Sequence, residues 1–225
     1  MEIKLGVAKM IDDSILNSCK VAKKRDYMGA SGLGEECDRK LWYSYKKPKP
    51  VTSARLKRIF DMGNIIEDYL VRIFRDAGLT VYDVMENGDQ FGFKDGDIAG
   101  HCDGVVVGLP ESSKPHLLEF KSAKASSYKA FVKNGVKKEN KKYYVQMQIY
   151  MNKLNLDRAL FVMMNKDTQE LYFERVEYDK VCAETFLLRG KEIAKEEEEP
   201  ERKYPKSTFY KCKWCDWNNE CWNQE

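Results

Sequence analysis

Residues 117–122 read LLEFKS, which places a carboxylate and an ammonium group inside an apolar segment. Because alternate residues of a β-strand share a face, we expect Glu119 and Lys121 on one face, with Leu118 and Phe120 pointing into the core. A buried charge is unfavourable unless it is paired or bound to a metal. The segment therefore predicts either an edge salt bridge between Glu119 and Lys121 or a functional site within a sheet.

The order of apolar patterns along the chain predicts an α/β fold, with a central mixed β-sheet flanked by helices. The hydrophobic periodicity and turn residues predict helices over 8–26, 53–77, 125–134, 140–155 and 178–198, and strands over 80–85, 90–93, 97–107, 116–121, 158–164 and 170–176. We divide the chain into an N-terminal helical segment (1–50), a core (51–200) and a C-terminal cysteine segment (201–225).

Composition limits the classes of protein that the chain fits. Its 225 residues suffice for one well-buried domain with an appendage, and a net charge of +3 says little about partners. No apolar segment follows a basic start, and no apolar run approaches the ~20 residues that span a bilayer. We therefore expect a cytoplasmic protein (or one of the host cytoplasm, if viral) with no membrane contact, in which seven cysteines do not form a disulfide framework.

Further polar residues surround the LLEFKS segment in sequence. Asp103 supplies a second carboxylate from the preceding predicted strand, and two carboxylates on neighbouring strands favour Mg²⁺ or Mn²⁺. Glu67 lies on the long predicted helix upstream. Gln146 and Tyr150 are four residues apart, so they share one face of a helix downstream. Alone, Glu67 is more typical of a surface residue, and Tyr150 of core packing.

In order and spacing, this set resembles the RecB-like branch of the PD-(D/E)xK nucleases. That family's pattern is Gly-x-x-x-His/Glu, Gly-x-x-Asp, Glu-x-Lys and Gln-x-x-x-Tyr. In this chain the corresponding segments are 63–67, 100–103, 119–121 and 146–150, with Glu67 where many members have histidine. The resemblance implies a restriction-endonuclease-like core and metal-dependent hydrolysis of DNA.

The resemblance also implies a role for each residue. Asp103, Glu119 and the backbone carbonyl of Phe120 would ligate Mg²⁺ or Mn²⁺, and Glu67 would complete the metal shell. Lys121 would orient or deprotonate the attacking water, or stabilise charge on the phosphorane. The remaining pair, Gln146 and Tyr150, would hold the DNA strand and support the site.

Three functions fit these residues. The first is an exonuclease that acts on single-stranded DNA or duplex ends, in recombination, repair or phage DNA processing; only the resemblance supports this preference. The second is a DNA-binding accessory module that no longer cleaves, although Asp103, Glu119 and Lys121 are all present. The third is a zinc-stabilised, site-specific endonuclease. The oligomeric state is left open.

Four cysteines have the spacing of metal ligands. Cys212, Cys215 and Cys221 form a C-x2-C-x5-C pattern, and Cys37 is the best candidate for a fourth ligand. One cysteine before the core and three after it resemble the iron–sulfur members of the same nuclease branch, such as AddB-type and CRISPR adaptation nucleases. That resemblance implies a [4Fe–4S] cluster. A structural zinc site is the alternative, because spacing does not separate the two.

Other residues near these motifs complete the prediction. Four aromatic residues are expected to shield the metal from water: Tyr210, Trp214, Trp217 and Trp222. The remaining cysteines are expected to be small core residues: Cys19, Cys102 and Cys182. Four lysines lie between Lys121 and Gln146 and form a lysine-rich segment: Lys137, Lys138, Lys141 and Lys142. We expect this segment, together with Gln146, to bind the DNA backbone. The other interpretation of these lysines is a solvated helix face.

Overall fold

The structure is a computed structural model that describes residues 6–18, 26–48 and 53–222. Its α-helices are α1 (Gly6–Ser18), α2 (Asp38–Lys46), α3 (Ala54–Asp76), α4 (Ala125–Asn134), α5 (Val136–Glu139), α6 (Lys141–Leu154), α7 (Lys180–Lys195), α8 (Tyr210–Lys213) and α9 (Asn218–Trp222). Its strands are β1 (Met28–Gly29), β2 (Thr80–Tyr82), β3 (Gly92–Asp95), β4 (Ile98–His101), β5 (Gly104–Val107), β6 (His116–Ala123), β7 (Arg158–Asn165) and β8 (Leu171–Glu177). No helix in the described ranges is long and apolar enough to cross a membrane.

The main sheet has five strands in the order β2-β5-β6-β7-β8. Strand β6 pairs antiparallel with β5 and parallel with β7, so the sheet is mixed. The crossover from β6 to β7 contains α4, α5 and α6, as a parallel connection requires. A smaller sheet has the order β1-β4-β3. The predicted fold class, a mixed α/β fold flanked by helices, is confirmed.

Helices cover both faces of the main sheet. On one face, α3 contributes Leu70 and Phe74 to a cluster with Leu118 and Phe120 of β6. On the other face, α6 contributes Met147 and neighbouring residues to the larger core. The alternation along β6 is as predicted, but both of its faces are buried rather than one. The strand is also central, which rules out the edge-strand alternative.

Polar caps fix the two helices that flank the site. The Ser53 hydroxyl accepts a hydrogen bond from the Leu56 amide at 3.1 Å and starts α3. The Asn140 side chain accepts hydrogen bonds from the amides of Lys142 and Tyr143 and starts α6. These caps fix where each helix begins.

Two predicted elements differ from the structure. The segment 97–107 is two strands in different sheets, β4 and β5, and the chain crosses between them at Cys102 and Asp103. Gly104 makes the crossing with φ +138°, where an added Cβ would lie 2.8 Å from the Tyr82 carbonyl oxygen. The helix predicted over 8–26 is α1 over its first part, residues 19–25 lie outside the described ranges, and Asp26 is not helical.

The C-terminal segment packs against α2 and the loop before it. Trp217 is buried and stacks on Tyr43, with ring centroids 5.5 Å apart. The Lys211 ammonium pairs with the Glu36 carboxylate at 2.6 Å, and the Lys203 ammonium donates to the Glu36 carbonyl at 2.9 Å. These contacts bring the two distant parts of the chain together, while the division into three segments stays a prediction.

Candidate active site

Asp103 lies at the crossing between the two sheets, where the chain leaves β4 and enters β5. Its Oδ2 atom accepts a hydrogen bond from the Phe120 backbone amide at 2.6 Å. This bond ties the carboxylate to the neighbouring strand β6, and the side chain is 12% exposed. Asp103 is thus fixed at the surface end of the site and beside the LLEFKS segment.

Glu119 is fully buried in the middle of β6. Its Oε2 atom accepts a hydrogen bond from the Gln146 side-chain amide at 2.9 Å. Its Oε1 atom pairs with the Lys121 ammonium, yet no hydrogen bond of normal geometry reaches it within the described residues. One oxygen is therefore held by the protein scaffold, and the other is directed at a cation.

Lys121 places its ammonium among three groups of oxygen atoms. The ammonium donates to the Phe120 carbonyl at 2.9 Å, pairs with Glu119, and lies 3.9 Å from Asp103 Oδ2. It also sits 5.4 Å from the centre of the Tyr143 ring. These three oxygen groups are the ones that the sequence predicts as metal ligands, so in this structure they surround a cation.

The charges at this point shift one another's pKa. Burial raises the pKa of Glu119; the Lys121 ammonium lowers it and the Asp103 carboxylate raises it, and the net direction is upward. Burial lowers the pKa of Lys121, but the carboxylates of Glu119 and Asp103 raise it more. Because the pKa of Glu119 is raised, a further cation at this point would favour its ionised form.

Glu67 reaches the same site from α3. It lies three residues before the buried Leu70, so its side chain is on the helix face that packs on the sheet. Burial, followed by the Asp103 carboxylate, raises the pKa of Glu67 to about 7. The structure therefore brings Glu67 into electrostatic contact with Asp103 and Lys121.

The two α6 residues lie beneath the carboxylates rather than on the surface. Gln146 is 7% exposed, and its amide is used by Glu119. Tyr150 is 1% exposed and packs edge-on against Phe93. An added Cβ at Gly100 would lie 2.5 Å from the Tyr150 hydroxyl, which explains why that position of β4 is a glycine. Their placement favours support of the site over direct contact with DNA.

The fold is shared with a known exonuclease. The structure of the alkaline exonuclease LHK-Exo from Laribacter hongkongensis, in complex with dAMP, matches with a TM-score of 0.55 at 16% identity, over 82% of this chain and 90% of that chain. The structure of SSO0001 matches with a TM-score of 0.54 at 15% identity, over 97% of each chain. At such identities the likeness establishes the fold alone.

Sequence comparison adds no family to this result. No protein-family model matches the chain. The search of curated proteins also finds no match.

The four cysteines with metal-ligand spacing line one cavity. The cavity has a volume of about 430 Å³, and Cys37, Cys212, Cys215 and Cys221 all contribute to its wall. Among the described residues, no three or more His, Cys, Asp or Glu side chains are arranged around a single ion position. The structure thus gathers the four predicted ligands at one cavity.

The aromatic residues beside the cysteines divide into two groups. Trp217 is buried against Tyr43, and Trp222 is partly buried under the Arg202 guanidinium. Trp214 and Tyr210 are 81% and 64% exposed, so the prediction that they shield the metal from water is wrong for these two rings. As predicted, Cys102 is buried, whereas Cys182 is half-buried and Cys19 lies outside the described ranges.

The lysine-rich segment forms α5 and the first turn of α6, and its four lysines are exposed. The Lys137 ammonium lies 3.7 Å from the Asp179 carboxylate, and the Lys142 ammonium lies 3.4 Å from the Glu35 carboxylate. Lys141 packs its ammonium over the Phe186 ring. The segment therefore presents positive charge at the start of α6, beside the candidate active site.

Tyr143 also lies at the site, although it is not among the predicted residues. Its ring lies against the Lys121 ammonium and packs with Phe131 and Phe161. The signal was available, since Tyr143 precedes Gln146 by three residues and therefore shares its helix face.

Proposed function

We propose that the protein is a deoxyribonuclease that depends on Mg²⁺ or Mn²⁺ and acts as an exonuclease on single-stranded DNA or duplex ends. The observation that carries the proposal is the convergence of Asp103, Glu119 and the Phe120 carbonyl on the Lys121 ammonium. The fold shared with an alkaline exonuclease supports the preference for exonuclease chemistry. Recombination, repair and phage DNA processing all use such an activity.

The oxygen atoms at the site fit a divalent cation. Mg²⁺ and Mn²⁺ prefer carboxylate and carbonyl oxygens, and Asp103, Glu119 and Phe120 offer both kinds. Glu119 Oε1 is a buried oxygen without a hydrogen bond in the described part of the chain. Glu67 would complete the shell or serve a second ion. When bound, the cation would stabilise negative charge on the scissile phosphate and lower the pKa of the attacking water.

The protein's own residues would prepare the reaction. Gln146 holds one oxygen of Glu119, so the other points to the cation position. The Phe120 amide fixes Asp103 in the same way. The Lys121 ammonium, which lies beside these oxygens, would orient the attacking water or stabilise charge on the phosphorane. A fixed set of charges of this kind needs little reorganisation during the reaction.

The cysteine cavity fits a [4Fe–4S] cluster held by Cys37, Cys212, Cys215 and Cys221. Four thiolates are the usual ligands of such a cluster, and here they line one volume. Three cationic side chains also line the cavity wall, and each is paired with a carboxylate: Arg39 with Glu199, Lys40 with Glu35 and Lys211 with Glu36. A zinc ion on the same thiolates is the alternative. In either case the metal would join the N-terminal segment to the tail and stabilise the fold.

A digestion panel tests the proposed function. End-labelled single-stranded and double-stranded DNA, in linear and circular form, is incubated with the protein with and without Mg²⁺. We expect stepwise shortening of linear substrates, no attack on intact circles, and no reaction without the cation. Cutting of circles at defined positions would instead support a site-specific endonuclease. Binding without any cleavage would support a non-cleaving accessory module.

A further inference from the structure

An aromatic surface is exposed on the C-terminal segment beside the cysteine cavity. Trp214 is 81% exposed and Tyr210 is 64% exposed. Tyr210 is the outer ring of an aromatic cluster: it is tilted by 43° against Phe209 at a centroid distance of 4.8 Å, and Phe209 stacks on Tyr204 at 4.4 Å. Tyr210 therefore packs on Phe209 and leaves most of its surface exposed.

Lysines lie beside these rings, together with one exposed carboxylate, Asp216. Lys213 is exposed between them in sequence, and the Lys211 ammonium lies 5.8 Å from the Tyr210 ring centre. Lys141 and Lys142 line the same cavity wall as Trp214. The acidic residues of that wall are largely offset, because Lys40 pairs with Glu35 and Lys211 pairs with Glu36; Glu139 is the third acidic residue of the wall.

Helix α6 connects this surface with the candidate active site. Tyr143 contacts Lys121, and the preceding Lys142 lines the cavity. Gln146, which holds Glu119, is four residues further on, or roughly 6 Å along the helix axis. A strand that leaves the carboxylates along the start of α6 would pass Lys142, which lines the same cavity wall as Trp214.

We propose that Trp214 and Tyr210 stack on unpaired bases of single-stranded DNA while the neighbouring lysines contact its phosphates. This inference rests on the proposed nuclease function and assigns its substrate as a single strand. Exposed rings beside lysines are the features with which proteins hold single strands without reading sequence, because every base offers a π-face. In a duplex the base faces are covered, so the rings favour unpaired DNA.

Binding experiments with ring variants test the proposal. Trp214→Ala, Tyr210→Ala and the ring-conserving Trp214→Phe are compared with wild type, and Phe173→Ala, which removes a 52% exposed ring from β8, is the matched control. The affinity for a labelled oligothymidylate of roughly 12 nucleotides is measured in EDTA, so that no cleavage occurs. Metal content is measured for each variant, since Trp214 lies between Cys212 and Cys215.

Stacking predicts a clear pattern. Trp214→Ala and Tyr210→Ala should each weaken binding of the single strand about tenfold, whereas Trp214→Phe and Phe173→Ala should stay close to wild type. Affinity for a blunt duplex of equal length should be the same in all variants. If Trp214→Ala loses its cysteine-bound metal, Tyr210→Ala decides the outcome, because Tyr210 is not adjacent to a cysteine.

Two results separate this proposal from the nuclease function. If wild type cleaves DNA but both alanine variants bind the oligothymidylate normally, the proposed stacking of Trp214 and Tyr210 on bases is wrong and the nuclease function stands. The exposed rings would then favour a protein partner instead. If no substrate is cleaved but both variants lose affinity for the single strand, the surface is right and the nuclease function is wrong.

Discussion

The hydrogen bond between Gln146 and Glu119 offers a sharp test of the metal site. Replacing Gln146 with methionine keeps the length and volume of the side chain but removes the amide that donates to Glu119 Oε2 at 2.9 Å. Glu119 is fully buried, so no water replaces the lost donor. The fold should survive, because methionine packs well in a buried helix face.

The expected loss of Mg²⁺ affinity follows from the charge of Glu119. A hydrogen bond to a charged group contributes about 1.5–3 kcal/mol, and its loss disfavours the ionised carboxylate. A free energy of this size would raise the pKa of Glu119 in the Gln146→Met variant by about 1–2. Burial already raises that pKa in the wild-type protein. A cation binds the ionised form, so the affinity for Mg²⁺ near neutral pH should fall by about 10- to 100-fold.

Calorimetric titration with Mg²⁺ measures this affinity. The matched control is Gln148→Met, because Gln148 is equally buried on α6 but bonds to the Glu177 carbonyl and the Asp179 amide instead. The control should lose stability and keep its Mg²⁺ affinity. The difference in Mg²⁺ affinity between Gln146→Met and wild type should become smaller as the pH rises and Glu119 ionises. Equal Mg²⁺ affinities in the two variants would refute the role given to Gln146.

Three further predictions concern charge and the cysteines. Since the pKa of Glu67 is raised from 4.5 to about 7, the folded protein loses stability as the pH rises through that range. Glu67→Gln should therefore stabilise the metal-free protein above pH 7 by ~1–2 kcal/mol, after allowance for the solvent exposure of the side chain. Near pH 4 a thermal melt should show no effect of the substitution. Cys37→Ala should lower the metal content as much as Cys215→Ala does, whereas Cys182→Ala should leave it unchanged. Wild-type protein purified without oxygen should carry about four irons per chain if it holds a [4Fe–4S] cluster, or about one zinc if the site is a structural zinc site. Replacing the four lysines of the lysine-rich segment with glutamine should flatten the salt dependence of DNA affinity. The four are Lys137, Lys138, Lys141 and Lys142. An unchanged slope of affinity against salt would mean that these lysines are only a solvated helix face.

Much of the fold could be predicted from sequence because its elements carry local signals. Helix α3 has strong apolar periodicity, and α3 and α6 have capping residues at Ser53 and Asn140. Strand β6 could be recognised from its alternation, and with it the pairing of Glu119 and Lys121. These features depend on neighbours in sequence, which a single chain displays.

Features that depend on tertiary contacts could not be predicted. The break at Cys102 and Asp103 arises because β4 and β5 join different sheets, and the sequence of 97–107 does not show which sheet each strand joins. The direction of the Glu119 oxygens depends on Gln146 from another element. The exposure of Trp214 could not be inferred either, because an aromatic residue between two cysteines fits a shield as well as a surface.

The central claim is that Lys121 works with Asp103 and Glu119 in cleavage, and single-turnover hydrolysis of a labelled single strand tests it most directly. Lys121→Met is compared with Lys153→Met, because both lysines are similarly buried and ion-paired, but Lys153 pairs with Asp95 away from the carboxylates. At saturating Mg²⁺, Lys121→Met should cleave about 10²–10³-fold more slowly than wild type, the loss typical of one charge-stabilising group, while Lys153→Met stays close to wild type. Cleavage by Lys121→Met at the rate of Lys153→Met would contradict the assignment of the active site.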